Sequence, residues 1–409
     1  MRDVIATLVF STVATTIPSA TIAQTASAPY VSVPYVGKTN VLIFSDAAPQ
    51  ADPERAPDFS AFGQPMFTAQ SVAEVPSYAN YVSVESVGNG DGEWISVVFG
   101  ESDLGSNSTI TIRTVDGGQS QTFDGDYLRQ SGGHTPMFPG GIVYVQLNKS
   151  GEDEGVYYVI DELLIGTPAN KENTIEGFPP SSEQLVEPIE AICGEDDRVP
   201  VLDKRIGRLM PVGCTGWNIR DNIHVTAGHC MRGSRMLQYQ VNVPLSDPNG
   251  EANIPALEDQ FVIIQDSIEG VDLGIGNDFA IFRTLPNNQG AFAHNLHGEI
   301  ELATAEPGVK TDFEVVGYGV DDHPAGQPPL FRNQFSQTQQ HHIGPMVEVN
   351  PTTIKHQVDT RGGNSGGPIL IPNTDPLSAI GIHTHGGCVT DGANHGTNAE
   401  HPDFKALLP

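Results

Sequence analysis

The stretch VDTRGGNSGGPILI, residues 358–371, decides how this chain is read. Four glycines and a proline surround a single serine, Ser365. Without a Cβ, Gly362, Gly363, Gly366 and Gly367 let the backbone take conformations that other residues resist, and let another molecule approach the main chain closely. A serine presented in this way is either the apex of a glycine-rich turn or a nucleophile beside bare backbone N–H donors. The stretch alone does not separate the two.

A nucleophilic serine needs a base, and a histidine base needs a group that holds its tautomer. Among 13 histidines, His229 stands out in IHVTAGHCM, where a β run ends in small residues and then His-Cys. A satisfied core histidine is the plainer reading of that ring. Cys214, in VGCTGWNI, precedes Cys230 by a hairpin-sized gap that suits a bridge pinning the histidine loop. For the acid, GVDLGIGNDFAIFRTL holds both Asp272 and Asp278. Asp278 is preferred because it stands at the mouth of the apolar FAIF run, where a carboxylate needs a partner.

Taken together, GEDDRV, CTGWNI, TAGHC, NDFAI, VDTRGGNSGGP, GIHTHGG and NHGT resemble the blocks of the chymotrypsin-like serine proteases, and among them the bacterial glutamyl endopeptidases, in the same order. The resemblance covers residues 191 to about 400. It implies an all-β fold with a C-terminal double β-barrel. It implies that Ser365 attacks the scissile carbonyl, His229 relays the proton and Asp278 orients His229. Gly363 and Ser365 would then offer their N–H groups to the oxyanion. Thr384 would bond near Asp278, and Gly386 would pair with the substrate backbone. Asn364 stands where trypsin-type enzymes carry the aspartate that grips a new N-terminus, so that switch is not expected. In the bacterial group the freed amino end helps bind the substrate carboxylate. By this resemblance that end would fall near Ala191 or Ile192, with self-cleavage expected after Glu187 or Glu190.

Two specificities compete. Asp359, six residues before Ser365, matches the trypsin-like carboxylate that binds Arg or Lys. Thr360 and His383 match the hydroxyl and imidazole with which glutamyl endopeptidases hold a carboxylate, and cleavage after Glu, with Asp weaker, is preferred. A histidine facing an acidic substrate gains charge from it, whereas one facing Arg is repelled. His383 and His385 alternate on a strand and so share a face; lacking a third ligand, they are not taken as a metal site. His341 and His342 read as a solvated loop. Four cysteines allow three connectivities; with Cys214 and Cys230 joined, elimination leaves Cys193 with Cys388.

The remaining sequence sets bounds. The N-terminal MRDVIATLVFSTVATTIPSATIAQTASA fits a secretory signal over residues 1–23, with cleavage near Ala23 or as late as Ala28. Its apolar run is too short to span a membrane, and export permits disulfides. A net charge of −30, from 50 acidic against 20 basic residues, excludes nucleic acid as a partner, because phosphates are repelled. Residues 29–75, rich in Pro, Ala and Ser, read as an extended lead-in. Residues 76–166 carry short β runs such as EWISVVFG and GIVYVQLN, punctuated by Gly and Asp, and read as a small antiparallel β-sandwich, an accessory or pro-domain. His134 in it reads as a loop residue. Residues 167–190 read as a linker and 191–409 as the protease domain. The chemistry needs no cofactor, the partners are protein or peptide substrates, and a monomer is the default; nothing supports a calcium at DDHPAG. A rival class is an inert binding protein on the protease fold, against which stands the presence of His229, Asp278 and Ser365 together. A third reading makes the sandwich the functional part, without an aromatic platform to support it.

Overall fold

The structure, a computed structural model, describes residues 30–34, 42–45, 81–88, 92–166, 190–231, 236–248, 250–304, 312–321, 333–390 and 392–409. The signal (1–23) and the linker up to residue 189 lie outside the described residues.

Alternation builds the N-terminal region. Thr109–Thr114 and Ile142–Lys149 bury every second residue, as strands with one covered face must. They belong to a five-stranded antiparallel sheet that packs over a four-stranded one. Between the sheets lies a core of Val87, Ile95, Val97, Phe99, Ile110, Phe123, Val145 and Ile165. Two pieces of the expected lead-in are strands of these sheets. Tyr30–Pro34 pairs with Ile160–Gly166, and Leu42–Ser45 pairs with Tyr81–Gly88. A short helix, Gly125–Gln130, is capped by Asp124, whose carboxylate accepts the Tyr127 N–H.

The C-terminal region is two β-barrel units. Six strands of a seven-stranded sheet, among them Ile206–Pro211 and Asp278–Phe282, make the first, closed by a bridge between Ile263 and Thr284, with Glu269–Asp272 at the outer edge. The second sheet is built around Asp312–Gly317, Gln340–Val349, Pro368–Ile371 and Ser378–His385. A shared core joins Trp217, Ile223 and Phe279 of the first unit to Val316, Leu370 and Ile382 of the second. The C-terminal helix Pro402–Leu407 packs Phe404 edge-on to Phe279. The fold is therefore all-β with a double barrel preceded by a sandwich. No helix among the described residues is long and apolar enough to cross a membrane.

Candidate active site

Strand Ile223–Thr226 ends in a short 3-10 turn, Gly228–Met231, that carries His229. The turn presses so close to the next hairpin that a Cβ on Gly228 would lie 1.8 Å from the Val271 carbonyl oxygen, so only glycine fits. Asp278 opens the strand Asp278–Phe282 and is fully buried. One carboxylate oxygen accepts the His229 backbone N–H at 2.8 Å, and the other lies 2.6 Å from His229 Nδ1. A proton on Nδ1 satisfies that contact and makes Nε2 the unprotonated, basic nitrogen. Asp272 pairs with Asp278 across the hairpin but is not the partner of His229 in this geometry. Thr397 fixes Asp278 from behind: its hydroxyl donates to the Asp278 carbonyl at 2.8 Å.

The serine loop is held by Thr215. Its N–H donates to the Ser365 carbonyl at 2.8 Å and its hydroxyl to the Gly363 carbonyl at 2.8 Å. The disulfide Cys214–Cys230 brings Cys230 Sγ to 3.9 Å from the same Ser365 carbonyl, so one bridge connects the histidine turn and the serine loop. Gly363 has φ +105°, a conformation reserved for glycine. The Gly362 carbonyl accepts from Val320 N–H, and the Asn364 carbonyl from Gly367 N–H. In a trans peptide C=O and N–H point in opposite directions, so the N–H groups of Gly363 and Ser365 are turned away from those partners. Two donors at i and i+2 of one loop suit a developing oxyanion. Asn364 is buried, and its side-chain oxygen accepts the Arg361 N–H at 3.1 Å, so its amide is spent within its own turn.

Asp359 is buried and its carboxylate is occupied. One oxygen accepts the Cys193 N–H at 2.7 Å and the other the Asp197 N–H at 3.0 Å. It fastens the start of the protease region, where Glu190–Ala191 pairs with Thr360–Arg361 and Cys193 is bonded to Cys388. With both oxygens so engaged, the carboxylate is not left open for a substrate cation.

Thr360 and His383 meet a different fate. The Thr360 oxygen accepts from Asn394 Nδ2 at 3.3 Å, which leaves its hydroxyl proton available. His383 Nδ1 lies 3.3 Å from His356 Nε2, and His356 Nδ1 accepts the Val358 N–H at 3.2 Å. That acceptor role puts the His356 proton on Nε2, where it donates to His383 Nδ1, so the His383 proton sits on Nε2. Burial holds His356 down at about 3, and burial followed by the neighbouring His356 holds His383 well below the ordinary imidazole value. Both rings are therefore neutral, with the outer one poised to donate.

Two expectations about histidines change. The strand register shifts between His383 and His385, so the two do not share a face. His383 turns into the buried pair with His356, whereas His385 Nδ1 lies 3.7 Å from the Asp278 carboxylate with its ring 5.8 Å from that of His229. The Thr384 hydroxyl faces His385 Nδ1 at 2.9 Å and the His395 carbonyl at 3.4 Å, which places its hydrogen bonds beside Asp278 by way of His385. His341 and His342 lie in the strand Gln340–Val349 and not in a solvated loop; His341 Nδ1 is 2.6 Å from Glu314, and His342 Nδ1 accepts the Asp359 N–H at 2.7 Å. Gly386 is half-buried just past the end of strand Ser378–His385. His134 is buried and lines a cavity of about 770 Å³ in the sandwich.

The trypsin family profile matches residues 203–407. The chain belongs to the trypsin family. Domains of this family are usually serine endopeptidases, whose substrates are proteins. No curated protein matches the chain. Among solved structures, a Glu endopeptidase is similar at 20% identity and a TM-score of 0.40, covering 53% of this chain and 97% of its own. Protease Anisep from Arthrobacter nicotinovorans is similar at 16% identity and TM-score 0.35, covering 49% of this chain and 91% of its own. An inactivated protease paralogue of the scabies mite is similar at 12% identity and TM-score 0.35, covering 47% and 84%.

Proposed function

We propose that this trypsin-family chain is an exported serine endopeptidase that cuts after Glu, and more weakly after Asp, through an acyl-enzyme. In this reading Ser365 attacks the scissile carbonyl, and His229 Nε2 takes the serine proton and returns it to the leaving amine. Asp278 holds the imidazole in the required tautomer, and the N–H groups of Gly363 and Ser365 receive the oxyanion. Thr384 and Gly386 line the same cleft. The enzyme works as a monomer without a cofactor or metal, on protein or peptide substrates, away from nucleic acid and membranes. Residues 1–23 serve as the export signal, 76–166 as an accessory or pro-domain, 167–190 as the connection and 191–409 as the protease.

The observation that carries the Glu specificity is the division of labour in the pocket. Asp359 has both oxygens taken by main-chain N–H groups, while Thr360 and His383 each keep a donor free. A substrate carboxylate entering beside a neutral, buried imidazole is met by donors. A guanidinium would be met by donors too, and repelled. The test is a cleavage-site profile on a mixed peptide library, with Ser365→Ala in parallel. Cuts after Glu that vanish in the variant are expected; cuts after Arg or Lys would return the pocket to Asp359, and no cuts by the wild type would favour the inert binding protein.

A further inference from the structure

We propose that residues 92–166 are a permanent part of the folded enzyme, seated on the first barrel and retained there when the connection to the protease region is cut. The unbroken burial of strand Trp94–Phe99 is the first sign: all six residues are buried. Ile95, Val97 and Phe99 point into the sandwich core. Trp94 and Val98 point the other way, into a second cluster with Met137 and Leu164 from the sandwich and Met210 and Leu237 from the first barrel. The outer face of the four-stranded sheet is thus covered by the protease, and a strand covered on both faces loses its polar alternation.

The protease region reaches into the sandwich in return. Leu257, in the loop after strand Met236–Gln240, is 1% exposed and belongs to the core between the two sandwich sheets. Beside it, Gln260 closes a two-point bond with the Met137 backbone: its side-chain oxygen accepts the Met137 N–H, and its nitrogen donates to the Met137 carbonyl, each at 2.9 Å. Gln238 donates to the Thr135 carbonyl at 3.1 Å. Gln238, Gln240 and Gln260 are all buried. Glutamines on the outside of a barrel are ordinarily solvated; here each of the three has a partner in the sandwich, Gln240 through the Met137 sulfur. Removing the sandwich would strip them of those partners and expose Met210 and Leu237 to water, while opening the sandwich core where Leu257 sits.

The surface used is not the one that carries the chemistry. It is formed by strands Ile206–Pro211, Met236–Gln240 and Gln260–Val262, neighbours at one end of the sheet order, while His229 and Asp278 come from Ile223–Thr226 and Asp278–Phe282. The sandwich is therefore a buttress and not a plug of the cleft, and its role does not depend on the peptide bond that the enzyme cuts.

The experiment uses the full chain carrying Ser365→Ala, so that no self-digestion intrudes and activity plays no part in the readout. A recognition sequence for an unrelated protease is placed between residues 167 and 189, and the purified protein is cut after folding. Size-exclusion chromatography with mass detection at micromolar concentration should show both pieces in one peak at the mass of the intact protein. Two separate, monodisperse peaks would overturn the proposal. Leu257→Asp, or the milder Met137→Ala where the first does not fold, should release the sandwich from the cut protein; continued co-elution with either folded variant would overturn the assigned contact.

Discussion

Replacing Asp359 with asparagine separates an anchor from a specificity determinant. Asn keeps one acceptor and puts an amide NH₂ where the second oxygen stood, so either the Cys193 or the Asp197 N–H loses a charged partner and faces another donor. A hydrogen bond to a charged group contributes about 1.5–3 kcal/mol, and a buried donor left unsatisfied costs about 1–3 kcal/mol. Asp197 is exposed, so water can take up its N–H, and the amide should orient to sacrifice that contact. The expected loss is then about 2–3 kcal/mol. For a domain of 150–250 residues that corresponds to a Tm lower by about 4–12 °C. Calorimetry in a Ser365→Ala background measures it. In the active protein, the ratio of kcat/KM for a Glu substrate over its Arg counterpart should not change. An Asp359→Asn protein with an unshifted Tm that had lost cleavage after Arg or Lys would refute both the anchoring role and the Glu reading.

Asp278→Asn should keep the fold and lower kcat by about 10⁴, while Ser365→Ala should remove about 10⁶ of kcat; pre-steady-state and long-incubation assays read both. His356→Phe takes away the donor that sets the His383 tautomer. The loss of about 1–2 kcal/mol should lower kcat/KM on Glu substrates about 5- to 30-fold while leaving a Gln substrate unaffected. Glu251 lies at the junction with Glu93 of the sandwich; burial first, then the bond to Glu93 and the charges of Glu93 and Asp247, raise its carboxyl to about 8 from an ordinary 4.5. A raised folded value means stability that is complete below the ordinary value and lost as pH rises through about 8, so Tm should fall between about pH 5 and pH 9. Glu251→Gln should flatten that slope, and an unchanged slope would remove Glu251 as its source.

The parts of the site that could be read from sequence are those written as local strings. TAGHC and GNSGG place a histidine on a tight turn and a serine in a glycine loop because the residues that make those conformations adjoin them. Asp278 could be preferred over Asp272 because the apolar run after it demands a buried strand, and the structure puts Asp278 against His229. What escaped depends on partners distant in sequence. Asp359 is spent on N–H groups more than 160 positions away. Thr215, Thr397, His356 and Asn394 had no local mark, although Thr215 follows a cysteine already singled out. Strict alternation put His383 and His385 on one face, and a register shift separated them. His341 and His342 looked solvated because polar neighbours flank them, yet each ring finds a hydrogen-bonding partner from another strand or its edge. The run WISVVF did carry a signal: an apolar strand without alternation has two covered faces, and only one was accounted for.

The bond between Cys193 and Cys388 has a consequence for any cut made between Glu190 and Ala191. Two residues of extended chain reach about 7 Å. The new amino end would therefore be confined to a sphere of that radius around a cysteine fastened to the loop that follows His385. Confinement on such a short leash corresponds to an effective concentration in the millimolar range or above. Its arrival at a nearby carboxylate would then be independent of protein concentration, and dilution would not undo it. Reduction of the bridge, by contrast, would turn an intramolecular encounter into a search by a loose strand end.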